Sequence, residues 1–258
     1  MIRGYTAQQV RDAERPHLAA GEPLMERAAR ALAERILVLL ESRPTAQPRR
    51  VLLLVGSGDN GGDTLFAGAH VARSGVFAGA DVPRARVHVD ALAVGSRMHE
   101  AGRADAIAAG VRFLEPDAVT GDPDSHPLDS PARAAADYDV IVDGILGTGT
   151  SAGSPALRGR ARDVVLAIRS GLGDTVPAGA DPSGRPIVVA VDIPSGIDPD
   201  SGAVADDAVL PADVTVTFGG IKAGLLLGVG ARLAGRIDLV EIGIEADLAA
   251  MTPVVDLP

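Results

Sequence analysis

VLLLVGSGDNGGDTL, residues 51–65, is a run of five apolar side chains that breaks into a turn with four glycines. Val51, Leu52, Leu53, Leu54 and Val55 show no polar alternation, the habit of a strand buried on both faces in a parallel sheet covered by helices. Gly56, Gly58, Gly61 and Gly62 open backbone angles closed to other residues and let main chain approach a ligand. Residues 64–74 read as a short helix, so the turn would present free N–H groups at a helix N-terminus, which attract phosphate. A purely structural turn is the other reading. The letters fit G-x-G-x-x-G, but Asp59, Asn60 and Asp63 crowd this turn with oxygens, and a carboxylate beside a pyrophosphate is unfavourable without a cation or hydroxyl between them. No Lys-Ser or Lys-Thr follows, which excludes a P-loop.

Strand and helix signals alternate outward from this segment. Thr6 is a candidate N-cap for a helix reaching residue 14, and residues 22–40 form an amphipathic helix that Pro44 and Pro48 terminate. A strand is predicted over 87–94, a helix over 98–109 and a strand over 111–114. Residues 115–135, polar and Pro-rich, read as a loop. A buried strand follows over 138–146. A helix over 155–170 has Ser154 as N-cap and Pro155 at its first position. A loop over 171–186 leads to strands over 187–192, 214–218 and 237–242. The alternation predicts an α/β fold, a three-layer α/β/α Rossmann-like sandwich on a mostly parallel sheet. Residues 1–246 are expected to form one domain and 247–258 a tail.

Composition narrows the chemistry. The chain has 258 residues, 47% hydrophobic but only 2% aromatic, so its core is aliphatic and offers no stacking platform for bases. A net charge of −10 opposes nucleic-acid binding. The absence of cysteine excludes disulfides, thiolate chemistry and Cys-based zinc sites. The five histidines are scattered and read as surface or packing residues. The first ten residues contain no apolar signal core, and no apolar run is long enough to span a membrane. A soluble, cytoplasmic protein is expected. Basic residues are 23 Arg and one Lys, Lys222; a lysine kept against that bias suggests a place where arginine does not fit, and chance is the other reading.

Three apolar strands end in acid, glycine and hydroxyl groups: the turn at Asp59–Asp63, then Asp143-Gly-Ile-Leu-Gly147-Thr148-Gly149, then Asp192-Ile-Pro194-Ser195-Gly196. Parallel strands point their carboxyl ends to one edge, where ligands bind. The three segments are therefore expected to converge.

These segments resemble the YjeF N-terminal domain family, the NAD(P)H-hydrate epimerases. The family pattern G-x-G-N-N-G-G-D-G appears as residues 56–64, V-D-A-L-F-G-T-G as residues 142–149, and V-D-I-P-S-G unaltered as residues 191–196. Residues 24–28 (LMERA) and 215–222 (TVTFGGIK) add to the likeness. Asp59 stands where the family has Asn, and Thr64 where it has Gly. The resemblance implies epimerisation of the R and S forms of hydrated NADH and NADPH at C6 of the nicotinamide ring, a metabolite repair. A non-catalytic nucleotide-binding or interaction module of the same fold is the alternative, and a nicotinamide-dependent dehydrogenase a weaker one. The resemblance implies substrate contacts at Asp59, Asn60, Gly61, Gly62, Asp63, Gly147, Thr148, Gly149, Thr150, Ser151, Ala152, Gly153 and Asp192. It also implies one potassium ion per subunit held by Asn60, Asp143 and Ser195, and a homodimer. Oxygen donors without nitrogen or sulfur suit such a cation. Asp192 is the expected acid–base group, Asp143 the weaker candidate. Asp63 reads as a helix N-cap or an organiser of the loop, and Lys222 as either a phosphate contact or a structural residue. The tail is either a free end or a linker to a dehydratase domain of the kind longer relatives carry.

Overall fold

The computed structural model describes residues 1–43, 48–75, 86–114, 135–149, 156–172 and 185–258. The chain order begins β1 (Ile2–Tyr5), α1 (Ala7–Ala19), α2 (Leu24–Glu41), β2 (Arg49–Val55), α3 (Asp59–Ser74), β3 (Val87–Ala93), α4 (Glu100–Ala109), β4 (Arg112–Leu114) and β5 (Val140–Gly144). It continues with α5 (Gly159–Leu172), β6 (Ile187–Val191), β7 (Val214–Phe218), β8 (Ile221–Lys222), α6 (Gly230–Leu233), β9 (Arg236–Val240), α7 (Glu245–Ala249) and β10 (Val255–Leu257). Seven strands form the central sheet in the order β4-β3-β2-β5-β6-β7-β9. Every neighbouring pair is parallel. The chain steps outward from β2 to β3 and β4, then returns to β5 and proceeds the other way. The reversal between β2 and β5 opens a crevice at the carboxyl edge, the place where doubly wound sheets take ligands.

Both faces of the sheet are buried, as the unbroken apolar run of β2 requires. Val51, Leu53 and Val55 point to the face covered by α2 and α3, where Leu32, Ile36, Leu65 and Val71 meet Val140, Val142 and Val189. Leu52 and Leu54 point the other way, against Val164, Val165 and Ile168 of α5. This is the expected three-layer sandwich. The amino edge of the sheet is held by charge instead. Asp90 accepts from Arg112 Nε at 2.8 Å and Tyr138 Oη at 2.6 Å. Burial works against the Asp90 carboxylate, but the Arg112 guanidinium and the Tyr138 hydroxyl outweigh it and keep its pKa below the usual range.

Thr6 caps α1 with a full capping box, its hydroxyl accepting from Gln9 N at 3.1 Å while Gln9 Oε1 accepts from Thr6 N at 2.9 Å. The helix runs through Pro16 to Ala19, past its expected end at residue 14. Helix α3 starts at Asp59, five residues before the expected start, because Gly58 is already the N-cap. The glycines are poor helix formers, yet close packing asks for them: a Cβ on Gly61 would stand 2.2 Å from the Gly56 carbonyl oxygen. Asp63 is thus the fifth residue of the helix and not its N-cap. The expected N-cap Ser154 and Pro155, like Pro44, lie outside the described residues.

A second, three-stranded sheet is new relative to the sequence reading: β10-β1-β8, with β10 antiparallel and β8 parallel to β1. Val255–Leu257 in the stretch expected as a tail therefore pairs with the first residues of the chain. The sheet matters because β8 carries Lys222.

Candidate active site

The loops after β2, β5 and β6 meet in one cleft of about 850 Å³, whose walls include Gly58, Asp59, Asn60, Asp63, Gly147, Thr148, Gly149, Asp192 and Lys222. Helix α1 supplies the opposite wall with Arg11 and Glu14. Arg11 Nη1 donates to the Thr148 carbonyl at 2.8 Å and so ties α1 to the Gly147–Gly149 turn. Gly61 and Gly62 do not line the cleft; they are spent on packing, Gly61 against Gly56 and Gly62 against the His99 ring. Thr150, Ser151, Ala152 and Gly153 lie outside the described residues.

Asp192 stands at the end of β6 with φ of 67°, the one non-glycine residue in that region among those described. Such a conformation costs on the order of 1–3 kcal/mol and persists where surrounding structure over-determines it. Here it does: Asp192 N donates to Val216 O at 2.7 Å, and its Oδ1 accepts from Thr217 Oγ1 at 3.2 Å and from Lys222 Nζ in a short ion pair. Lys222 is 2% exposed, and its ammonium also donates to Phe218 O at 2.9 Å and Thr217 Oγ1 at 3.3 Å. Three fixed acceptors around a compact ammonium explain the lysine in an arginine-rich chain, since a guanidinium fork is too broad for that niche. Lys222 is therefore committed to Asp192 in the cleft wall and does not extend toward a phosphate.

Asp143 is fully buried at the end of β5. Its oxygens accept from Ser195 Oγ at 2.6 Å, Ser195 N at 2.9 Å and Ile145 N at 3.3 Å. Burial raises its pKa against the pull of those donors, and no cationic side chain contributes. The Ser195 hydroxyl also accepts from Leu146 N at 2.9 Å, so it serves the β5–β6 junction and not its own turn. Asn60 Nδ2 donates to Val191 O at 2.8 Å and Leu146 O at 3.1 Å, bridging the same two strand ends. Asn60 and Ser195 thus share Leu146, and Ser195 in turn holds Asp143.

Asp63 is buried in the cleft wall, and its Oδ1 has no hydrogen-bond partner among the described residues. Burial first, then the Asp192 and Asp59 carboxylates, push its pKa well above the ordinary carboxylate value. The folded state therefore binds this proton more tightly than the unfolded chain. The resulting stability is complete below the unfolded pKa of about 3.9 and is lost as pH rises through the folded pKa. Asp63→Asn removes that loss. Urea melts at pH 5 and pH 8 should show the wild type losing more stability than the variant over the interval; parallel losses would contradict the assignment. Burial also raises Glu14, a cleft residue that no sequence motif singled out, with Lys222 pulling against it.

Thr64 stands where the resembled pattern has glycine, and Gly144 where that pattern has alanine. The two positions touch. The Thr64 hydroxyl donates to Asn60 O at 2.7 Å, and a Cβ on Gly144 would fall 1.8 Å from Thr64 Oγ1. Gly144→Ala should therefore cost about 1–3 kcal/mol by overpacking, with Thr64→Gly in the same chain restoring part of it. Thermal melts of the two single variants and the double variant test the coupling, and simple additivity would refute it.

A doubly wound parallel sheet with acids, glycines and an oxygen-rich pocket at its switch point defines a nucleotide-handling α/β protein. The chain belongs to the YjeF_N family: the family described as YjeF-related protein N-terminus matches residues 21–224. A Clavibacter michiganensis protein named NAD(P)H-hydrate epimerase is 46% identical over 98% of this chain and 94% of its own length. One of the same name from Microbacterium testaceum is 43% identical over 98% and 84%. The Mycobacterium tuberculosis bifunctional NAD(P)H-hydrate repair enzyme Nnr is 35% identical over 93% of this chain but only 41% of its own length. The crystal structure of yeast ynu0 (YNL200c) superposes with a TM-score of 0.62 at 15% identity, covering 93% of this chain and 88% of that one, a likeness of fold.

Proposed function

We propose that this protein is an NAD(P)H-hydrate epimerase, an isomerase that interconverts the R and S forms of NADHX and NADPHX. The observation that carries the reading is the meeting of Asn60 and the Asp192–Lys222 pair on one cleft, with the buried Asp143–Ser195 pair bonded to Leu146 of its wall. The substrate carbon C6 bears a hydroxyl beside the ring nitrogen. Its configuration inverts by loss of hydroxide to an iminium and return of water to the other face, or by opening of the C6–N1 bond to an aldehyde and reclosure. Both routes are redox-neutral. In the first, a proton joins the departing oxygen and leaves the returning water. In the second, it leaves the hydroxyl oxygen as the C6–N1 bond breaks and its electron pair passes to N1, which takes up a proton; both transfers reverse as the ring recloses. One carboxyl group facing the oxygen serves either route, and Asp192 is that group. Lys222 holds its orientation.

The residues at Asn60, Asp143 and Ser195 fit a potassium ion, one per subunit. The donors are carboxylate, hydroxyl, amide and backbone oxygens, and a fully buried carboxylate has no side-chain cation beside it. Such a set suits a hard monovalent cation. No group of three His, Cys, Asp or Glu side chains suited to a metal occurs among the described residues. When bound, the ion would supply fixed positive charge behind the nicotinamide pocket and hold the β5 and β6 ends together. No described helix is long and apolar enough to cross a membrane. A cytoplasmic homodimer is the form in which we expect the enzyme to work.

Purified protein should speed equilibration of separated NADHX epimers in potassium buffer, followed by chromatography. A rate equal to the enzyme-free control would overturn the function. Replacing potassium by choline should lower the melting temperature; no change would remove the cation from the account.

A further inference from the structure

The spatial order β4-β3-β2-β5-β6-β7 matches strand for strand the order 3-2-1-4-5-6 of dinucleotide-binding sheets. In those sheets the first strand carries the glycine turn. The strand beside it, on the side away from the second half, ends in the group that reads the adenosine ribose. An acid there bonds the 2′-hydroxyl of the unphosphorylated cofactor, whereas an arginine takes the 2′-phosphate. In this chain the glycine turn follows β2, and Asp143 and Asp192 mark the nicotinamide side at β5 and β6. The adenosine side is accordingly the end of β3.

The sequence after β3 is Val94, Gly95, Ser96 and Arg97, with no acid. Arg97 is exposed and lines the same cleft as Gly58 and Asp59. Its amide donates to Ser57 Oγ at 3.3 Å, and a Cβ on Gly95 would lie 2.6 Å from Ser57 N, so this loop packs on the glycine turn. No carboxylate pairs with the Arg97 guanidinium among the described residues. The neighbouring cleft cations are otherwise engaged: Lys222 with Asp192, Arg15 with Asp12, and Arg11 with Thr148 O. A cation left unpaired in a chain of net charge −10 is available to an anionic ligand.

The geometry points to Arg97 as the residue that receives the adenosine 2′-phosphate, making NADPHX the preferred substrate over NADHX. The inference rests on the epimerase reading. A guanidinium meets a phosphate through paired charge-assisted hydrogen bonds, which a ribose hydroxyl cannot reproduce.

Initial rates with NADPHX and NADHX, measured separately, test it in wild type, Arg97→Ala and Arg97→Lys. Arg97→Ala should raise KM for NADPHX about 10- to 100-fold, the range expected for one lost charge-assisted contact. KM for NADHX should stay within about twofold, and Arg97→Lys should recover part of the loss. Calorimetric titration with adenosine 2′,5′-bisphosphate and with AMP gives a readout independent of turnover. Wild type should bind the bisphosphate more tightly, and Arg97→Ala should abolish the difference. Equal losses on both substrates, or no wild-type preference for the bisphosphate, would overturn the role of Arg97. Inactivity on both substrates with the bisphosphate preference intact would instead overturn the epimerase reading and leave the phosphate site standing.

Discussion

Asp192→Asn should slow epimerisation by about 10²–10⁴-fold, the usual worth of one positioned acid–base group. An amide keeps the shape of the side chain and its contacts with Thr217 but neither takes nor gives a proton. It also leaves the Lys222 ammonium without its counter-charge, so rates are to be compared well below the melting temperature of the variant. Chromatographic equilibration of single NADHX epimers reads the effect directly. A folded variant with wild-type turnover would move the proton transfer elsewhere, and Glu14 on the facing wall would be the next group to replace.

Lys222→Met is expected to destabilise the fold strongly. It strands the Asp192 carboxylate in a site where it is only 7% exposed. Removing one partner of a buried ion pair costs about 3–5 kcal/mol, which for a domain of this size lowers the melting temperature by roughly 6–20 °C. Combining it with Asp192→Asn removes both charges, so the double variant should regain much of the lost stability while staying inactive. That divergence separates the two roles of the pair. A double variant as unstable as Lys222→Met would mean that the lysine matters through packing of its stem and not through its charge.

Much of this site can be read from letters because strand ends in a parallel sheet are forced to one edge. Once β2, β5 and β6 are recognised as buried strands, the segments bearing Asn60, Asp143 and Asp192 must come to one edge, where Asn60 and Asp192 reach the cleft and Asp143 is fully buried. Relations across short or irregular segments leave no such trace. The ion pair of Asp192 with Lys222 joins a strand end to a two-residue strand, and two residues carry no periodicity. Strands β1 and β10, with four and three residues, are equally silent. Helix α3 begins earlier than expected because propensity penalises Gly61 and Gly62, whereas the fold needs them where backbone meets backbone and helix meets His99. Glu14 lacked any motif; its place follows only from α1 folding over the cleft. The lone lysine was a compositional signal, and its partner became visible only with the small sheet.

That small sheet has a practical consequence. The strand bearing Lys222 leans on Gly4 and Tyr5, and residues 2–4 in turn are zipped to 255–257, so both short strands brace the chemistry. A change that loosens residue 2 or residue 257 is felt, through two ladders of backbone bonds, at the ammonium that steadies Asp192.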